Sequence, residues 1–339
     1  MKKFFLPFLL GSLLLSGCRA PEESLSIWIA SDLHYLDASL ETDTGAYQTK
    51  NLTSDGRIQE NDEMYLSIFL NEIQKKKPKV LILSGDLTFN GEKVSHLALQ
   101  KKLKQIEETT QVLVIPGNHV LLNPHAYDYS TPDQIKEVES ITYEEFRTIY
   151  HDFGYAQAKE CDSSSLSYVY EATPKVWMLM LDSSRSYRND GVFMYNEGDF
   201  KKQTLSWIES ILQKAKEQNA MVIPVSHHNL NCHNPMFSTG YQIINEYALK
   251  LLYEKYGVPV HFSGHMHIQH IEKSPVVYDI CTSSLLDYGN RYGKITLKGN
   301  QLHYTSQALP LKEEVKKESF YFIEKRMNAW YNTNTWRDL

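Results

Sequence analysis

Five short apolar runs, each ending in aspartate, asparagine or histidine, constrain what this chain can fold into more than any other feature. Residues 25–30 run into Ser31-Asp32-Leu33-His34, 80–83 into Ser84-Gly85-Asp86, and 112–115 into Pro116-Gly117-Asn118-His119. Further along, 221–225 runs into Ser226-His227-His228-Asn229, and 258–262 into Ser263-Gly264-His265-Met266-His267. Apolar runs this short, rich in β-branched residues, read as buried strands rather than helices. Between them the spacing turns helical: Met64, Ile68, Phe69 and Ile73 in 63–74, then a stretch at 96–108. Leu205, Trp207, Ile208, Ile211 and Leu212 mark a helix over 203–216, with Trp207 as core, and another is expected at 243–256. Alternating strands and helices predict an α/β fold whose polar residues gather beyond the carboxyl ends of the strands.

Alone, each strand end is ambiguous. A single histidine is usually solvated or satisfied in a core, and aspartate after glycine is usually a turn residue. Together the five ends supply Asp32, His34, Asp86, Asn118, His119, His227, His265 and His267. Imidazole is the commonest side-chain ligand of first-row metals, and Gly264 lets the chain turn so that both following imidazoles aim into one crevice. A mononuclear or dinuclear metal site is expected there.

The remaining segments carry a weaker pattern. Residues 35–60 are polar and poorly periodic, which suits either a binding rim or a mobile surface loop. Residues 120–167 are rich in Tyr, Ser and Asp, and the reading places a helix at 132–150 and the whole stretch over the mouth of the site. Strands are expected at 166–170 and 176–181, and as pairs near 276–281 and 294–307. From Pro310 the apolar positions Phe320, Phe322, Ile323 and Met327 predict an amphipathic helical extension, 310–339, docked on a domain that spans 25–308.

With 339 residues, 42% of them hydrophobic, the chain can bury a substantial core. Its start differs in kind: Lys2 and Lys3, an apolar run over 4–15, then Leu15-Ser16-Gly17-Cys18. That describes a secretory signal over 1–17, shorter than the roughly 20 apolar residues of a membrane span. Its ending resembles the bacterial lipobox, so Cys18 is expected to carry lipid and the folded part to lie outside the cytoplasm, anchored to the membrane. Processing there removes two lysines and no acid from a chain whose net charge is already −6. An acidic surface argues against a grip on long nucleic acid, though not against a small phosphoester held by metal. Cys161, Cys232 and Cys281 are widely spaced, which leaves open one bridge with a spare thiol or three thiols.

The blocks Asp-x-His, Gly-Asp, Gly-Asn-His, His and Gly-His-x-His, in this order, resemble those of the calcineurin-like metallophosphoesterase superfamily over residues 27–308. A finer likeness, through Gly85-Asp86-Leu87-Thr88 and His227-His228-Asn229-Leu230, is to lipid-anchored surface phosphodiesterases of Gram-positive bacteria that act on cyclic nucleotides. The resemblance implies a four-layer α/β/β/α sandwich of two mixed sheets flanked by helices. It also implies two cations, with Asp32, His34, Asp86 and His267 holding one and Asp86, Asn118, His227 and His265 the other. Asp86 would bridge them. A hydroxide formed at the pair would attack phosphorus, while His119 would act as general acid or transition-state stabiliser at the leaving oxygen. Mixed nitrogen and oxygen ligands suit Mn, Fe or Zn and disfavour Ca. A purple Fe³⁺ site would need a tyrosinate a few residues past Asp86, where this chain has Leu87, Thr88, Phe89 and Asn90.

Two positions depart from the family pattern. An acid usually follows Gly-Asn-His, and here Val120 stands there. His227 is followed by His228, so either could ligate; His227 matches the family position, and His228 and His233 are read as rim residues near substrate. Tyr35, Asn90 and Asn229 are similarly placed in the chain, and the sequence alone proves no contact for them. The reaction expected is hydrolysis of small phosphodiesters of the nucleotide or cyclic-nucleotide kind. A phosphomonoesterase of the same superfamily and a non-catalytic, ligand-binding surface lipoprotein are the alternatives.

Overall fold

Apolar strands with two buried faces need cover on both sides, and the architecture supplies it. The computed structural model describes residues 24–42, 58–132, 134–189, 191–237, 239–317 and 320–321. The expected leader, Cys18 and most of the expected terminal extension lie outside them. In the first sheet β1 (Leu25–Ala30), β2 (Val80–Leu83) and β3 (Gln111–Val114) run parallel. Strands β13 (Arg291–Lys298) and β14 (Gln301–Ala308) extend it antiparallel, in the order β14-β13-β1-β2-β3. The second sheet contains β6 (Ala158–Cys161), β7 (Tyr168–Thr173), β8 (Val176–Leu181) and β9 (Met221–Ser226). It continues with β10 (Val260–Ser263), β11 (His270–Lys273) and β12 (Tyr278–Cys281), in the order β11-β12-β10-β9-β8-β7-β6. Its middle strands are parallel and its edges antiparallel.

Period-two alternation along β8 shows how the layers stack. Met178 and Met180 join the core between the sheets, with Ile27, Ile29 and Ile82 of the first and Val225 and Phe262 of the second. Trp177, Leu179 and Leu181 point the other way, into a second core beneath helices α4 (Lys202–Glu217) and α5 (Glu246–Tyr256). On the outer face of the first sheet, α1 (Asp62–Lys76) buries Tyr65, Phe69 and Ile73, and Phe69 meets Tyr292 at 5.1 Å between ring centroids. Helix α2 (Lys93–Leu103) buries Leu99 and Leu103 in the same core. Helix, sheet, sheet, helix is the expected four-layer order. Trp207 lies at the margin of the second core, its indole N–H donating to Glu160 Oε1 at 3.1 Å.

The segment expected to be helical at 132–150 folds otherwise. Strands β4 (Tyr127–Thr131) and β5 (Gln134–Glu137) form a separate antiparallel ribbon, and helix α3 covers only Tyr143–Ile149. Thr142 and Glu145 make a reciprocal capping box that fixes the helix start at 143. Upstream, Tyr127, Tyr129 and Val138 pack with Leu36, Leu40 and Phe89 in a small third core, which requires extended chain there. Among the described residues no helix is long and apolar enough to cross a membrane. Cys161, Cys232 and Cys281 are free thiols.

Candidate active site

Each parallel strand ends at one rim of the sandwich, and there the backbone leaves the β region abruptly. Asp32, His34, Asp86, His265 and His267 all take left-handed conformations, with φ between 41° and 64°. A non-glycine residue in that region costs on the order of 1 kcal/mol or more, so such positions persist only where surrounding contacts over-determine them. Those contacts are present. Asp32 N–H donates to Gly85 O and His34 N–H to Asp86 O, while Ser284 Oγ donates to Asp32 O at 2.6 Å. Glycines let the loops close in: a Cβ on Gly117 would strike Asp86, and one on Gly264 would strike Ser31 and Asp32.

These turns gather two groups of donor atoms, Asp32 with His34 and His267, and Asp86 with His227 and His265, each group lying within 4.8 Å. In the first, His267 Nε2 stands 3.2 Å from Asp32 Oδ1 and 3.2 Å from His34 Nε2. Asp86 Oδ2 faces His227 Nε2 at 3.3 Å and His34 Nε2 at 3.7 Å, so one oxygen lies between the two groups. The other oxygen, Oδ1, accepts the His119 backbone N–H at 2.8 Å. His227 Nδ1 donates to Ser84 O at 2.9 Å, which turns the lone pair of Nε2 toward the centre. His265 Nε2 is bound to Gly240 O at 2.9 Å, leaving Nδ1 for the second group. Asn118 points Oδ1 at His227 Nε2, 3.1 Å away, and donates from Nδ2 to Asn196 Oδ1.

The donor set is chemically incomplete without cations. Asp32 and Asp86 are fully buried, and burial alone would push both carboxyls up. His267 and His227 beside Asp32, and His227 and His119 beside Asp86, outweigh that and hold both below the usual carboxylate range. Burial opposes charge on His227 too, yet Asp86 and Asp32 raise it to about 9, and Asp32 and Asp287 raise His267 well above its ordinary value against the same burial. Two cations fit this mixture of buried carboxylate, imidazole and amide oxygen. Asp32, His34, His267, Asp86, Asn118, His227 and His265 are the residues that would hold them.

His119 lies at the mouth of this cluster, its ring edge-on to His34 at 5.1 Å, with Nδ1 2.8 Å from Asn90 Oδ1. His228 is fully buried beneath the site: Nδ1 is 2.8 Å from Ser183 Oγ, and burial, with His265 alongside, lowers its pKa well below the ordinary value. His233 is also buried, between Asp279 and His270, its Nε2 3.2 Å from Asp279 Oδ2. A cavity of about 240 Å³ opens over the cluster, lined by Asn118, His119, Asn196, Tyr241, His265 and His267, with Asp86 at its floor. Among the described residues neither lysine nor arginine lines it. A larger apolar groove of about 770 Å³, beside Met221, Val260 and Leu302, sits at the opposite ends of the strands and holds none of these residues.

Three participants escaped the sequence reading. Asn196 and Tyr241 reach the cavity from loops with no motif, and Tyr241 packs on His265 at 5.2 Å between ring centroids. Asp287 places Oδ2 3.0 Å from His267 Nδ1, from a turn whose Asp-Tyr-Gly-Asn sequence signals only a reversal.

The sequence profile described as Calcineurin-like phosphoesterase matches residues 25–269. No curated protein matches the chain in sequence. Among solved structures, a dimetal phosphatase from Danio rerio aligns with a TM-score of 0.60 at 11% identity, covering 85% of this chain and 97% of its own. A purple acid phosphatase from yellow lupin (Lupinus luteus) seeds aligns with a TM-score of 0.53 at 13% identity, covering 85% of this chain and 52% of its own. At such identities the two structures bear on the fold alone.

Proposed function

The chain belongs to the calcineurin-like phosphoesterase family, and on that premise we propose that it hydrolyses small phosphodiesters, of the nucleotide or cyclic-nucleotide kind. The charge of the cavity wall carries the diester reading. A phosphomonoester bears about −1.5 to −2 near pH 7, whereas a diester bears a single charge. Asn118, Asn196 and Tyr241 offer neutral hydrogen-bonding groups, and no lysine or arginine among the described residues adds countercharge. That wall suits the singly charged ester. Its size, about 240 Å³, suits a phosphate with one small substituent inside and the rest of the substrate outside.

When bound, two cations supply the charge that neutralises the phosphoryl oxygens and lowers the pKa of water enough to make it a nucleophile near neutral pH. Asp86 is the residue between the two donor groups, and its second oxygen ties the His119 backbone to them. His119 faces the cavity and would give a proton to the leaving oxygen, a contribution of roughly 10²–10⁴-fold. The Leu15-Ser16-Gly17-Cys18 ending supports an extracytoplasmic, lipid-anchored enzyme; membrane retention that survives Cys18→Ala would remove that part of the reading.

The chain from Arg19 onward, which carries every described element, should cleave bis-(p-nitrophenyl) phosphate faster than p-nitrophenyl phosphate with Mn²⁺ and cleave neither with chelator. Asp86→Asn should lose metal and turnover together. A preference for the monoester would make the enzyme a phosphomonoesterase, and bound metal with no turnover would leave a binding lipoprotein.

A further inference from the structure

Val120, where the family places an acid, is fully buried in the main core, and its side chain has no polar atom to offer His119. His119 nevertheless has a partner. Asn90 Oδ1 stands 2.8 Å from His119 Nδ1, and Asn90 is itself 5% exposed. From these contacts we propose that Asn90 is the positioning residue for His119, accepting Nδ1–H through its amide oxygen so that Nε2 faces the cavity. The inference rests on the phosphoesterase reading above and assigns a role that the Gly-Asn-His block does not contain.

The turn that presents Asn90 is braced from three directions. Phe89 is buried in the small core against Tyr129, which fixes the residue just before it. Asn90 N–H donates to Glu92 Oε2 at 2.9 Å, and Gly91 N–H donates to Thr88 Oγ1 at 3.1 Å. Thr88 is bonded to His96 Nε2, whose Nδ1 meets Tyr150 OH at 2.7 Å, all of them buried. Finally, Gly91 lies directly against the His119 and Val120 carbonyls, where a Cβ would collide with Val120 O. The turn and the Gly-Asn-His loop therefore cannot slide past one another.

An amide also answers a charge problem. Asp32, Asp86 and Glu92 are already buried nearby, and a fourth carboxylate at position 90 would sit beside the one its own backbone contacts. Asn90 accepts a hydrogen bond without adding charge, and it cannot take up the proton itself. Proton exchange is then confined to Nε2. As water oxygen bonds to phosphorus and the bond to the leaving oxygen breaks, the Nε2 proton passes to that oxygen. The ring is left neutral with Nδ1–H still held by Asn90, and the proton lost by the attacking water goes to solvent.

The experiment compares parent, Asn90→Leu and Asn90→Asp, each as the chain from Arg19 onward and loaded with Zn²⁺. Diphenyl phosphate, whose leaving group needs a proton, is set against bis-(p-nitrophenyl) phosphate, whose leaving group hardly does. Asn90→Leu should keep its metal and melting temperature and lose about 10²-fold in kcat on the phenyl ester but only a few-fold on the nitrophenyl ester. Asn90→Asp, which retains the acceptor, should recover to within about tenfold of the parent. Equal losses on both esters, or losses that follow metal content, would overturn the assignment. Imidazole ¹⁵N spectra give a readout independent of turnover: His119 should carry its proton on Nδ1 in the parent and in Asn90→Asp, and lose that preference in Asn90→Leu. An Nε2–H tautomer in the parent would defeat the inference whether or not either ester is cleaved. If the parent cleaves neither ester, the phosphoesterase reading fails and the spectra alone decide Asn90.

Discussion

His267 sits between two carboxylates, with Asp32 Oδ1 3.2 Å from one ring nitrogen and Asp287 Oδ2 3.0 Å from the other. The Asp287 oxygen is near enough to fix which nitrogen faces the cluster. Carboxylate partners of this kind orient a ligating imidazole and raise its basicity, and losing one typically costs 10–100-fold in metal affinity. Asp287→Asn should therefore weaken metal binding by about that factor in a competitive titration, with the secondary structure intact. Affinity equal to the parent's would mean that His267 is oriented without it. Nothing in the sequence singled out Asp287. It lies 20 residues past His267 and beyond the matched segment 25–269, in a turn-forming stretch. The seven ligand candidates were legible because each closes an apolar run, a signal carried entirely by neighbours in the chain.

At the scale of elements, the strands were read closely because short apolar runs leave few alternatives, whereas the stretch at 132–150 was misread. Its residues tolerate a helix locally, and only contacts with Leu36, Leu40 and Phe89 draw 127–137 into a ribbon. The strand ends show the same division. Aspartate and histidine at a strand terminus can be seen in the sequence, but the left-handed backbone at five of them depends on loops converging from distant segments. At Gly117 that convergence leaves no room for a side chain, because a methyl group there meets both the side chain and the backbone nitrogen of Asp86. Gly117→Ala should displace Asp86, lower stability by about 1–3 kcal/mol and release metal. A variant with the parent's unfolding midpoint and metal content would show that the loops can separate without loss.

Across the whole molecule, buried histidines outside the metal cluster add to the response to acid. His96 is enclosed by Thr88 and Tyr150, and burial pushes it down to about 3; His261 is enclosed by Ser226 and Tyr253, and burial pushes it down to about 4. The unfolded value is about 6.5, so as pH falls the unfolded chain takes up these protons first. Their contribution to stability is complete above about pH 6.5 and falls by roughly 1.4 kcal/mol per pH unit for each histidine, until about pH 4 for His261 and about pH 3 for His96. Urea unfolding in chelator between pH 7 and 4.5 should show a slope shallower by about one proton in His261→Gln than in the parent. An unchanged slope would place the titrating group elsewhere. The sequence by itself determined the α/β class, the strands and the residues at their ends, because hydrophobic period and local order carry that information. Tertiary structure alone decided which nitrogen of each imidazole faces inward, that Asp86 uses one oxygen for both groups, and that Asn90 and Asp287 join the site. Those outcomes depend on distances between segments far apart in the chain, and such distances are set only when the two sheets close on their shared core.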